Sequence, residues 1–444
     1  MSKLIAAIEI GSSKIIGAVG QLSDDDTLSI VAIEEQPLTP GCVRHGCVVN
    51  VEEVSSKLNI VKRLLENNRG VAPGKITGAY IGMGGRSFAS HPAEASRAFG
   101  QETEITETVV TDLRSQVLTD KSSNKKVLDS VPLAFIVDGK KISVPVGTLG
   151  FQIRARYNLI VCDEKIYKNI KTAFDKIGLK IMAGIARILA VDSLILSKDQ
   201  RGLGCAIIDV GAETTTVAVY KDNALRHLAT IPMGSRLITK DLAALLNITE
   251  ERAEELKLNH VNLNAAADTD NLAMDKTLDN IDYKLINNIV KARASEIIAN
   301  INYQINQSHI KPDELTEGII LLGKGSRLNG FRDLLKKNLG VRIAYPASTL
   351  NVSYSQNLSV PVSEALDVVA ILTAAAKSHQ AKECVQQPAS VIEPIIETEE
   401  PVVVTKKEKA NKKDLEKGPN WAHRITRSFI DLLNTSDEFD PDEE

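Results

Sequence analysis

The chain is poor in aromatic residues, which make up 4% of it, and its one tryptophan, Trp421, lies close to the C-terminus. It has no uninterrupted stretch of about 18 apolar residues, the length a membrane-crossing helix needs. The five cysteines, Cys42, Cys47, Cys162, Cys205 and Cys384, are scattered and odd in number, without metal-type pairing. Reduced thiols in a cytoplasmic protein are therefore expected. A net charge of −4 gives no basic excess, which argues against nucleic acid as the main partner. Glu9 interrupts the first apolar run, so no signal-peptide core is expected there. What is present is 43% hydrophobic residues, enough for substantial cores, in a length that suggests about three domains.

The central stretch is Gly204 to Tyr220, GCAIIDVGAETTTVAVY. An apolar, β-branched run ends in Asp209, passes through Gly211 and Thr214 to Thr216, and resumes as a second apolar run, which predicts strand, tight turn, strand. Small residues at such a turn let backbone N–H groups and hydroxyls approach phosphate oxygens, and a carboxylate at the strand end suits a magnesium ion. Alone, the pattern also describes any β-hairpin with Asp-x-Gly at its turn. It occurs twice, however. Leu4 to Gly20, LIAAIEIGSSKIIGAVG, repeats it with Glu9, Gly11, Ser12, Ser13 and Lys14. Two such loops far apart in sequence can face each other across a cleft and grip one phosphate chain from both sides.

Between and beyond the two copies the chain alternates strands and helices. Short apolar runs with glycine and proline fill 28–50. Val51 to Asn67 has Val54, Leu58, Val61, Leu64 and Leu65 at helical spacing, and Ile76 to Gly85 returns to strand. From 86 to 161 the texture changes: a short helix at Thr106 to Asp120, a hairpin at Asp138-Gly139, and an alternating strand, FQIRARYNLIV. That reads as a small α+β insert, either separate or continuous with its neighbours, since no proline-rich linker marks its ends. Helix resumes at Glu164 to Ile177. After the second copy come Gly234 and helices at Ser235 to Leu246, Thr249 to Leu258 and about 280–307. Glu254 and Lys257 lie three apart on one helical face, the spacing of an ordinary surface ion pair. Gly318 to Phe331 is a strand running through a glycine turn into a helix, either a plain connection or a place where a ligand meets main chain. A small-residue helix, Glu364 to Lys377, closes the globular part.

From Gln380 to Glu416 the chain is polar, with Pro388, Pro394 and Pro401 and acidic then basic patches, the composition of a disordered tether. GPNWAHRITRSFIDLLN follows, with Trp421, Ile425, Phe429, Leu432 and Leu433 on one face of a helix and Arg424 and Arg427 among them. A helix of about four turns on a tether has no core for that face. A bilayer interface, a partner's groove or the protein's own surface would serve; aromatics flanked by arginines suit an anionic membrane surface. The acidic SDEFDPDEE beyond should stay in water, so the helix would lie on the membrane without crossing it.

The ordered set IEIGSSK, IIDVGAETTT, AEELK and LLGKGSRLNGF resembles the phosphate-one, phosphate-two, adenine-contacting and adenosine motifs of the actin and DnaK-type ATPases. GCVRHGCVVNVEEV, IPMGSRLITKDLA and the C-terminal tail narrow the resemblance to the FtsA family of bacterial cell-division proteins. It implies an α/β, actin-like fold: two ribonuclease-H-like halves around an ATP cleft, with a small α+β insert in the first half. The implied parts are 1–85, 163–201 and 346–380 for the first half's core (subdomain 1A), 86–162 for the insert (1C), 202–239 and 316–345 for the second half's core (2A) and 240–315 for its upper part (2B). A linker at 381–417, a membrane-targeting helix at 418–434 and an acidic tail at 435–444 follow. The resemblance further implies ATP and Mg2+ as ligands. It also implies tethering of FtsZ, through its C-terminal peptide, to the cytoplasmic face of the bacterial inner membrane at the division septum. Self-assembly into protofilaments and recruitment of later division proteins would accompany this.

Carried onto this sequence, the resemblance has Gly11, Ser12, Ser13 and Lys14 cradle phosphates from one side and Gly211, Ala212, Glu213, Thr214 and Thr215 from the other. Asp209 and Glu9 would hold the metal. Gly234, Glu254 and Lys257 would flank the nucleoside, and Gly323, Lys324, Gly325 and Ser326 would line it. Three departures stand out. Glu9 replaces the usual aspartate, Ala212 and Glu213 interrupt the glycines after Asp209 and bring a carboxylate toward the phosphates, and Lys324 separates the paired glycines of the adenosine motif. A water-activating Gln or Glu is expected in related hydrolases on the helix before the second loop, within about 185–196, where only Asp192 stands. No catalytic base is assigned, and weak or absent ATPase activity is the expectation. Another actin-like scaffold, such as a PilM-type pilus-assembly adaptor, or an ATP-hydrolysing enzyme or chaperone of the same superfamily, is the alternative.

Overall fold

The computed structural model describes residues 2–119, 125–264, 283–346, 352–378 and 381–387. In the first half, β1 (Lys3–Ile10), β2 (Lys14–Leu22) and β3 (Leu28–Pro37) form an antiparallel meander, and β4 (Gly78–Met83) lies parallel to β1 on its other side. Between β3 and β4 runs α1 (Val51–Asn67), capped by the Asn50 side chain accepting from Glu53 N–H and carrying Glu52 and Glu53 in its first turn, where the helix dipole favours them. Val54, Leu58, Val61 and Leu65 of α1 are buried as the spacing predicts, but Leu64 is exposed.

The insert follows: β5 (Ala89–Glu104), α2 (Glu107–Thr119), β6 (Lys125–Val137), β7 (Lys140–Ile142) and β8 (Leu149–Asp163). It has its own core, including Ile105, Leu113, Phe135, Ile153 and Tyr157. The chain then returns through α3 (Glu164–Lys176), β9 (Lys180–Ala186), parallel to β4, and α4 (Arg187–Ile195).

The second half repeats the plan. The antiparallel strands β10 (Cys205–Val210), β11 (Thr215–Lys221) and β12 (Ala224–Ile231) are joined on the β10 side by β13 (Gly318–Leu322) and β14 (Ile343–Ala344), both parallel. The order β3-β2-β1-β4-β9 in one half thus matches β12-β11-β10-β13-β14 in the other. Helices α5 (Ser235–Leu246), α6 (Glu250–His260) and α7 (Tyr283–Gln307) follow β12, α8 (Phe331–Leu339) follows β13, and α9 (Leu366–Lys377) returns to the first half's core. None of the described helices is long and apolar enough to cross a membrane.

Two boundaries differ from expectation. The insert is neither fully separate nor part of the first sheet. Its β5 pairs with β12 of the second half at Ala89 and Ala229, the Leu228 N–H donates to Ser90 Oγ at 2.9 Å, and Asn158 Nδ2 donates to the Leu225 carbonyl at 2.6 Å. Residues 381–387, expected to open the linker, are instead part of the folded first half: Val385–Gln386 pairs with Lys75–Ile76, the Cys384 N–H donates to the Leu4 carbonyl at 2.9 Å, and Cys384 and Val385 are buried. One apolar pair in a polar run covers the end of the first sheet, too short a signal for composition to register. The helix expected at 418–434, with Trp421, Arg424, Ile425, Arg427, Phe429, Leu432 and Leu433, lies outside the described residues.

Candidate functional site

The β1–β2 and β10–β11 turns close alike: Gly11 N–H donates to the Lys14 carbonyl at 2.9 Å and Gly211 N–H to the Thr214 carbonyl at 2.8 Å. Within them, the peptide N–H groups of Ser12, Ser13, Ala212 and Glu213 donate to no acceptor among the described residues. Peptide donors without an acceptor, clustered at two turns, are what a phosphate cradle requires; those of Ser12, Ser13 and Ala212 belong to partly or fully exposed residues, and that of Glu213 to a buried one. The two turns are linked through Arg187, whose guanidinium bonds Asp209, next to last in β10, and whose charge acts on Glu9, next to last in β1.

The second turn is wedged among three other segments. The first N–H groups of α5 donate into it, Ser235 to the Gly211 carbonyl at 3.0 Å and Arg236 to the Ala212 carbonyl at 2.8 Å. A Cβ on Gly234 would sit 2.5 Å from the Ala212 oxygen. Gly323, with φ 80° and ψ 150°, occupies a region open essentially to glycine alone, and a Cβ there would fall 2.2 Å from the Val210 carbonyl oxygen. On Gly325 a Cβ would meet the same oxygen at 2.8 Å. These three glycines serve the approach of chain to chain.

Several expected contacts are engaged elsewhere. Thr215 is fully buried and its hydroxyl donates to the Met233 carbonyl at 2.8 Å, so it faces away from any phosphate. The Glu213 carboxylate does not stand over the phosphates: it is buried and accepts from the His45 N–H at 2.8 Å, while His45 Nδ1 lies 3.0 Å from the Glu213 carbonyl oxygen. Lys14 pairs with Glu35 on β3. Ser326 is buried with its hydroxyl on the Gly323 carbonyl, 2.7 Å away, and Lys324 reaches Glu364 at 3.4 Å. Glu254 and Lys257 form more than a surface pair. Lys257 is buried and donates to Glu254 at 2.6 Å and to the Thr239 hydroxyl at 3.0 Å, which in turn donates to Glu254.

Asp192 is not a cleft residue. It is buried beneath β11, accepts from the Tyr220 hydroxyl and lies 3.6 Å from Arg201, and burial pushes its carboxyl up to about 6. The residue that α4 presents to the cleft is Arg187. Its guanidinium donates to Asp209 at 2.5 Å and to Asp367, in the first turn of α9, at 2.8 Å, with 16% of the side chain exposed. Sequence reading missed both Arg187 and Asp367. One local signal existed: a cation at the first position of a helix, with no side-chain cap before it, opposes the helix dipole. Nearby, burial and the charges of Asp367 and Asp209, opposed by Arg187 and Lys14, hold the Glu9 carboxyl up at about 7. The Asp367 carboxyl is also raised, by burial and by Asp209 against the pull of Arg187.

This arrangement does not fit a divalent metal. The carboxylate expected to hold it is bonded to a permanent cation, and no cluster of three or more metal-ligating side chains occurs among the described residues.

Two halves of one sheet order, each built on the same strand-turn-strand hairpin, define the actin-like class. The PilM–PilN type IV pilus biogenesis complex contains a chain of similar fold, with a TM-score of 0.56 and 16% identity over 84% of this chain and 98% of that one. The family model "Cell division protein FtsA" matches residues 206–363, and that for the "SHS2 domain inserted in FTSA" matches 85–161. The cell division protein FtsA of Porphyromonas gingivalis is 32% identical over 77% of this chain and 72% of its own, and that of Neisseria meningitidis serogroup B is 28% identical over 78% and 84%. FtsA of Escherichia coli K12 is 26% identical over 80% and 87%. The chain belongs to the FtsA family of cell-division proteins.

Proposed function

We propose that this chain is an ATP-binding, actin-like adaptor of the division site. It holds filaments of FtsZ against the cytoplasmic face of the membrane through its C-terminal amphipathic helix, assembles with itself, and recruits later division proteins. The observation that carries the nucleotide part is the pair of facing turns whose peptide donors at Ser12, Ser13, Ala212 and Glu213 have no acceptor among the described residues. Nucleotide bound there bridges both halves and biases them toward one relative position. Against an ATP-hydrolysing enzyme stands α4, which offers the cleft an arginine where a base would be needed and sequesters Asp192. The membrane part rests on the spacing of Trp421, Ile425, Phe429, Leu432 and Leu433 with Arg424 and Arg427. A single interfacial helix binds marginally, so self-assembly and attachment reinforce each other by avidity. Sedimentation with anionic vesicles tests this: the intact chain is expected in the pellet and the Trp421→Ala, Phe429→Ala double variant in solution. Equal sedimentation of the two removes the membrane role from this helix.

A further inference from the structure

Arg187 touches both halves of the molecule. It belongs to the first half, as does Asp367, whereas Asp209 is next to last in the central strand of the second, so one guanidinium ties the two halves together near the two turns. A guanidinium stays charged throughout the working pH range, and its planar fork of donors suits two carboxylates at once. A divalent ion at Asp209 would have to sit beside that charge or expel it. Expulsion would bring Arg187 out of a site where its side chain is 16% exposed and leave Asp367 without this partner. The position of Arg187 at the start of α4, against the helix dipole, is offset by the same two carboxylates.

We propose that Arg187 is the resident cation of this cleft and that nucleotide binds here without a divalent metal. The inference rests on the nucleotide-binding reading above and specifies it: the ligand is the free nucleoside di- or triphosphate. Its phosphates are met by the peptide donors of the two turns, with the Arg187 guanidinium at their base. Asp209 serves as a positioning residue that holds Arg187, and the tie between the halves persists when metal is removed.

Titration of the intact chain with a fluorescent ATP analogue, once in excess magnesium and once in EDTA, tests this. The expected result is the same dissociation constant within about twofold in the two buffers. Weakening of about tenfold or more in EDTA overturns the metal-free site while leaving nucleotide binding intact. Absence of binding in both buffers overturns the inference together with the nucleotide reading. Arg187→Gln, which frees Asp209 and Asp367, is expected to convert binding to a magnesium-dependent form. Binding by this variant that is unchanged in both buffers also overturns the proposal.

Discussion

The turn after Glu9 and the turn after Asp209 close with equivalent hydrogen bonds, Gly11 to Lys14 and Gly211 to Thr214, yet their surroundings differ. Around the second, Gly234, Gly323 and Gly325 press in, Thr215 is tied to Met233, and Glu213 is tied to His45. Around the first, Leu38 donates to the Ser13 carbonyl at 2.9 Å and Lys14 pairs with Glu35. Gly84, placed after β4 as Gly323 is after β13, has room for a Cβ, whose nearest neighbour would be Arg187 Nε at 3.7 Å. A duplicated topology has therefore kept its turns while concentrating the anchoring on one side. The second turn is held by more of its surroundings than the first.

Breaking the anchoring of the second turn should cost most. Gly323→Ala combines a disallowed backbone conformation with a collision against Val210, and a loss of about 4 kcal/mol is expected. Gly84→Ala should cost less than about 0.5 kcal/mol. Thermal unfolding of the two variants compares the turns directly, and similar losses would dissolve the distinction. Arg187→Gln is expected to destabilise by about 3 kcal/mol because it leaves Asp209 buried without its cation and takes the partner from the partly exposed Asp367. Glu213→Ala, which removes the acceptor of the His45 N–H, should cost about 2 kcal/mol. Lys14→Ala, on the open side, removes a partly solvated pair and should cost under about 1 kcal/mol.

Much of the fold was legible because it is periodic. The repeated strand-turn-strand pattern located both central hairpins, and the spacing of Val54, Leu58, Val61 and Leu65 placed α1 from Val51 to Asn67. Leu64 lies at the rim of that face, where spacing alone cannot separate buried from exposed. The site was legible at its turns and illegible between them. Arg187, Asp209 and Asp367 are brought together only by tertiary folding, and nothing in the order of residues ties His45 to Glu213. The threonines after Gly211 read equally as phosphate contacts, but burial assigns Thr215 to the scaffold. The union of the insert's sheet with β12 through Ala89 and Ala229 escaped because a single bridge leaves no compositional trace.

The proposed function joins the two turns to the tail, in a protein of this fold that would carry FtsZ to a membrane. Co-sedimentation of FtsZ with anionic vesicles tests it most directly, using the intact chain and a version ending at Glu416, each with and without ATP. The account has FtsZ pelleting with the intact chain alone, and more of it when ATP is present. FtsZ pelleting equally with the shortened version, or remaining in solution with both, would contradict it.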